Sequence, residues 1–150
     1  MRSRPTTLLA LLVFAIAAAL LPAMASARGG SSKAMLERVN EVRQGHGLRP
    51  LSPAPPLTAG SKAHSRTLLA AGSLWHASLN AVAARYGRAG EVLAMHSGRR
   101  ARIGFTVNAW LNSPPHRAIL LSPSFRRGGA GRASGHFGGG PGTVWVLRTG

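Results

Sequence analysis

The chain has no cysteine and only three acids, Glu37, Glu41 and Glu91, in 150 residues. The first absence excludes disulfide staples and thiolate metal sites. A folded domain must therefore rest on its own core, or on a metal held by other ligands. The second makes each acid informative, because few carboxylates are left over for surface decoration. Aromatics are sparse too, with one tyrosine, three tryptophans and four phenylalanines. That leaves little base-stacking capacity. No RNP, zinc-finger or helix-turn-helix pattern occurs either, so a dedicated nucleic-acid-binding module is not expected.

One long apolar run exists, at the N-terminus. Arg2 and Arg4 precede the stretch from Thr7 to Leu21, and Ala25-Ser26-Ala27 follows it. A basic start, a short apolar core and small residues at a cleavage position read as a secretory signal over 1–27, with an uncleaved anchor as the alternative. No later segment is long and apolar enough for a transmembrane helix once the signal is removed. The expected location is therefore extracellular or in the cell envelope (the periplasm where an outer membrane exists). Residues 28–34 are expected to be a flexible leader and 35–150 one domain. Of 19 cationic residues 17 are arginine; loss of Arg2 and Arg4 with the signal lowers the formal charge from +16 to +14. Such a surface attracts polyanions, with anionic cell-wall polymers and lipid head groups as the candidate partners.

Apolar positions at Met35, Leu36, Val39 and Val42 have helical spacing, closed by Gly45-His46-Gly47. Leu48 to Pro56 is too rich in proline for a helix or a central strand. A second helix is expected from Leu57-Thr58 to about Ala71, with Leu57, His64 and Leu68 on one stripe. His64 there reads as a hydrogen-bonded core histidine or, less simply, a ligand. SLWHAS (73–78) is irregular and sets His76 beside Trp75. Asn80 to Arg88 reads as a brief helical turn, and Glu91 then opens the apolar run GEVLAM. A carboxylate in such a run faces solvent, or is buried with a cation, donors or a metal. Ile103, Val107, Trp110 and Leu111 make a third helical stripe. In WLNSPPHRAILLSPSF (110–125), Ser113 fits an N-cap, Pro114 a first helical position, and His116 the first turn. Strands are expected at 126–132 and 143–147, with the glycine-rich 134–142 as the turn region and His136 exposed in it.

In order and spacing these segments resemble a bacterial CAP domain, the superfamily of cysteine-rich secretory, antigen 5 and pathogenesis-related 1 proteins. MLERVNEVRQGHGLRPL resembles its "LNxxRxxxGLxPL", with Asn40 and Arg43 in place; LTAGSKAHS resembles its second helix. SLWHAS resembles "FSH", GEVLA "GENLA", WLNSPPHRAILLSPSF "WMNSPGHRANILNPxF", and RRGGAGRA the strand "xxGVGxA". The resemblance spans Met35 to about Val146. It implies an α+β fold, a three-layer α-β-α sandwich with a central antiparallel sheet. It also implies a cleft in which His76, Glu91 and His116 take the places of family histidines and an acid that bind a divalent metal in several members. Three positions depart from the pattern: Val92 for asparagine, Pro115 for glycine and Ile119 for asparagine. No acid follows Glu91, so a second cleft carboxylate is missing.

His76 and His116, with Glu91 as ligand or as the group orienting a histidine, are the candidate metal ligands. Zn²⁺ or another divalent ion is the candidate cofactor. Asn112, Ser113 and His64 are further cleft candidates. Glu91 and His116 are the weak candidates for catalysis through activated water. Ser113 as a nucleophile lacks a G-x-S-x-G elbow. The first functional reading is a binding module whose cleft takes a divalent metal or a small apolar ligand. The others are a hydrolase acting on a peptide or envelope substrate, and a structural protein with an inert cleft.

Overall fold

A computed structural model describes residues 26–150, with side chains from Gly30 onward. The expected signal lies outside these residues except for Ser26 and Ala27. Five helices and four strands follow one another as α1 (Ser26–Gly45), β1 (Ser52–Pro53), α2 (Pro55–Ala71), α3 (Asn80–Tyr86), β2 (Gly90–Ser97), α4 (Ile103–Leu111), α5 (Pro114–Leu120), β3 (Arg127–Phe137) and β4 (Gly140–Thr149). The sheet order is β1-β3-β4-β2; β2, β4 and β3 are antiparallel, and β1 adds two residues parallel to β3. It is the expected α+β sandwich.

Alternation along the strands separates two cores. Val92 of β2, Ala130 of β3 and Trp145 and Leu147 of β4 face α1, α4 and α5, burying Met35, Leu36, Val39, Val107, Trp110 and Leu120 with them. Leu93, Val144 and Val146 face the other way, against Leu68 of α2. Each wholly buried aliphatic side chain contributes roughly 1.5–3 kcal/mol by its removal from water. Both buried indoles are satisfied: Trp110 donates to the Leu93 carbonyl (2.8 Å) and Trp145 to that of Ala101 (2.8 Å). Asn40 clasps Leu51 through both its backbone groups (2.9 and 2.8 Å). Arg43, fully buried, donates to the carbonyls of Arg49, Leu120, Ser122 and Phe125. Burial and the neighbouring charge of Arg126 lower its pKa.

Three expectations are corrected. Residues 28–34 are not a leader but the first turns of α1. The run Gly29-Gly30-Ser31-Ser32 supplies no apolar stripe to read, yet Ser32 is 6% exposed. Second, α2 begins at Pro55, two residues early, because prolines at the first two helical positions lack only N–H groups that a helix start leaves free. Third, β3 and β4 run through most of the expected turn, leaving Gly138-Gly139 between the paired Phe137 and Gly140. Glycine is favourable here because it permits close approach. A Cβ on Gly131 would collide with the α2 backbone at Ser61 and Lys62, so this position lets the helix lie directly on the strand.

Candidate functional site

Glu91 sits one residue into β2, on the sheet face that carries Leu93, opposite Arg148 in the β2–β4 register. The same strand parity that buries Val144 and Val146 turns Arg148 toward α2. Its guanidinium has room because position 60 is glycine; a Cβ there would lie 2.5 Å from Nη1. Arg148 Nε donates to Glu91 Oε2 (2.8 Å), and the two side chains are 12% and 1% exposed. Glu91 Oε1 accepts from the Ala77 backbone N–H (3.1 Å) and from His76 Nδ1 (3.0 Å). Of the alternatives open for a carboxylate in an apolar run, this one is buried with a cation and donors.

The irregular 73–79 segment is held from two sides. His64, buried on α2, donates through Nε2 to the Trp75 carbonyl (2.9 Å) and packs edge-on against the indole. Its Nε2 lies 3.9 Å from Glu91 Oε1, too far for a hydrogen bond. Glu91 takes the next two residues. His76 is thereby oriented with Nδ1–H toward the carboxylate, and its side chain is 59% exposed. A carboxylate on one imidazole nitrogen fixes the tautomer that leaves the other nitrogen's lone pair free. Leu74 and Trp75, which precede His76 in the chain, are each 43% exposed.

His116 reaches the same region from α5. Its pKa is lowered, first by desolvation and then by the charge of His76, so the neutral imidazole is favoured. The structure thus joins His76, Glu91 and, as scaffold, His64, with His116 close enough to feel His76. Asn112 and Ser113 are the two residues linking α4 to α5; Asn112 is exposed and neither side chain contacts this group through a hydrogen bond among the described residues. The expected side-chain cap from Ser113 is also absent. Its backbone is extended as an N-cap requires, but Pro114 and Pro115 remove the N1 and N2 N–H groups, so a cap would have only the N3 donor. Ser113 starts α5 through its carbonyl, which accepts from Arg117 N–H (2.8 Å).

Arg148 went unassigned in the sequence. A signal existed: it shares parity with buried valines in a strand, and a buried cation needs an acid, of which only Glu91 lies off a helix. Two departures from the family pattern are also explained. Val92 is fully buried in the α1-side core, and Ile119 packs partly buried against it. Among the described residues no group of three or more histidines and acids is arranged to hold a metal. The donors present are two imidazoles, with the carboxylate already occupied by Arg148. That is short of the three protein ligands of an open zinc centre.

A family model described as "Cysteine-rich secretory protein family" matches residues 36–148. Among solved structures, an extracellular SCP-domain protein from Bacillus anthracis is 20% identical with a TM-score of 0.62, over 81% of this chain and 40% of that one. An outer surface protein from Borrelia burgdorferi is 21% identical with a TM-score of 0.61, over 78% of this chain and 90% of that one. A cysteine-rich secretory protein from Staphylococcus aureus is 15% identical with a TM-score of 0.60, over 83% and 39%. At these identities the likeness is one of fold. The chain spans about two fifths of the B. anthracis and S. aureus proteins. No curated protein matches in sequence.

Proposed function

The chain belongs to the cysteine-rich secretory protein family, and from that premise we propose that it is an exported binding module, with a histidine site in its cleft and anionic envelope matter as the partner of its basic surface. Export is supported by the signal-like N-terminus and by relatives of the same fold described as extracellular, outer-surface or secretory. The observation that carries the site is the saturation of Glu91 by Arg148, His76 and the Ala77 N–H. So engaged, the carboxylate holds and orients His76 instead of ligating or abstracting protons itself. His76 and His116 are the two donors for a labile divalent ion such as Zn²⁺, with water completing its shell. A bound ion of this kind lowers the pKa of its water. Without a metal, the exposed Leu74 and Trp75 next to His76 suit a small apolar ligand.

Calorimetric titration of the purified protein with Zn²⁺ tests the site. Heat that disappears in His76→Ala and His116→Ala, and affinity weakened about 10- to 100-fold in Glu91→Gln, is the expected result. No heat at millimolar metal would sink the metal reading. A hydrolase is the second reading, favoured by the Glu91–His76 pair, which is also how a general-base histidine is oriented. It requires turnover of a peptide or envelope substrate that His76→Ala abolishes.

A further inference from the structure

A cavity of about 670 Å³ lies away from the histidines, along the edge of β3 that β1 leaves unpaired beyond Gly128. Lys62 and Arg66, one helical turn apart on α2, form one wall. Arg132 and Ser134 of β3 and Ser31 of α1 form the rest, with Leu69 and Ala133 as apolar floor. No acid lines it. All three acids of the chain are engaged elsewhere: Glu37 with Lys33, Glu41 with Arg38, and Glu91 with Arg148 and His76. Three cations therefore share one groove with nothing in the protein to neutralise them. Arg132 is further constrained. One terminal nitrogen donates to the Arg99 carbonyl, and its Nε is buried without any partner. Desolvation lowers its pKa, which is the sign of a charge held where water compensates it poorly.

We infer that this groove is a binding site for the phosphate group of an organic phosphate ester. The inference rests on the reading of the basic surface as anion-binding, and gives that surface a place and a chemistry. Phosphate is favoured over carboxylate because it brings up to two charges and three acceptor oxygens to three cations and the Ser31 hydroxyl, the Ser134 hydroxyl being engaged with Thr143. A guanidinium matches phosphate oxygens in pairs, as Arg66 can, while Arg132 and Lys62 add positive charge. The volume lies in the range of small-molecule sites, so it admits the phosphate together with its organic substituent, against Leu69 and Ala133.

The test is calorimetry with glycerol 3-phosphate, and in parallel co-sedimentation with phosphatidylcholine vesicles with and without phosphatidylglycerol. Wild type is compared with Lys62→Gln/Arg66→Gln and with Arg49→Gln/Arg88→Gln, a pair that removes the same charge from exposed positions outside the groove. The groove pair should weaken glycerol 3-phosphate binding by about tenfold or more, and the control pair by less than about twofold. Thermal melts of both variants should match wild type, because none of these four side chains makes a hydrogen bond or ion pair among the described residues. If vesicle binding falls in step, the groove takes lipid head groups as well; if it persists, the ester it takes is a soluble one. Equal loss in both variants would overturn the site and leave only a diffuse basic surface. Failure of wild type to bind either phosphate probe would overturn the site and the anionic-partner reading together, with Zn²⁺ binding at the histidines still free to stand.

Discussion

The Glu91–Arg148 pair predicts the largest effect of any exchange at the site. Glu91→Gln keeps the shape of the side chain but turns one of its two acceptor oxygens into a donor, and it strands the Arg148 guanidinium, 12% exposed, without a counter-charge. Removing one partner of such a buried pair costs about 3–5 kcal/mol, most of it the uncompensated ion. A domain of this size has a total stability on the order of 6–19 kcal/mol, so the loss is a large fraction. It corresponds to a melting point roughly 10–20 °C lower. Arg148→Met, the opposite single exchange, should cost about 3 kcal/mol because Glu91 keeps the Ala77 N–H and His76. The double variant should cost clearly less than the sum, with a coupling energy of about 2–3 kcal/mol. Urea unfolding followed by tryptophan fluorescence gives all four corners of the cycle. Additivity within about 0.5 kcal/mol, or a Glu91→Gln cost below about 1 kcal/mol, would refute the reasoning that Arg148 makes burial of the carboxylate possible.

Other consequences are separable. Gly131→Ala should destabilise by at least about 1–3 kcal/mol, since its Cβ meets α2 backbone and not a mobile side chain; chemical denaturation measures it. Ser113→Ala should change stability by less than about 0.5 kcal/mol, where a true side-chain cap would cost about 1 kcal/mol; a thermal melt decides. His116 should titrate below the ordinary histidine value by NMR, and His76→Ala should move it upward by removing the second of its two causes. The sign for stability follows from a folded pKa below the unfolded one. His116 adds no penalty above the unfolded value. Its neutral preference becomes a loss of stability as pH falls from there through the depressed folded value.

Helices α2 and α4 were legible because their buried positions recur at helical spacing, α5 because Ser113 and Pro114 mark a helix start, and the ends at Gly45 and Gly72 fall where expected. The first turns of α1 were not, because serines at 31 and 32 approach neighbouring elements without an apolar signal. The glycine-rich hairpin misled for a related reason. Glycine is neutral about burial until a partner is known, and only the packed α2 shows that Gly135 lies against Leu69.

By itself the sequence determined the family, the layer architecture, the strong positive charge and the singular status of Glu91. These depend on local periodicity, motif order and composition, all of which are written along the chain. Only the tertiary structure decided what Glu91 does. Its partner lies 57 residues away on a neighbouring strand, and its other contacts come from a loop with no periodicity. Register and strand parity bring them together, and both follow from pairing among distant segments that no local pattern specifies.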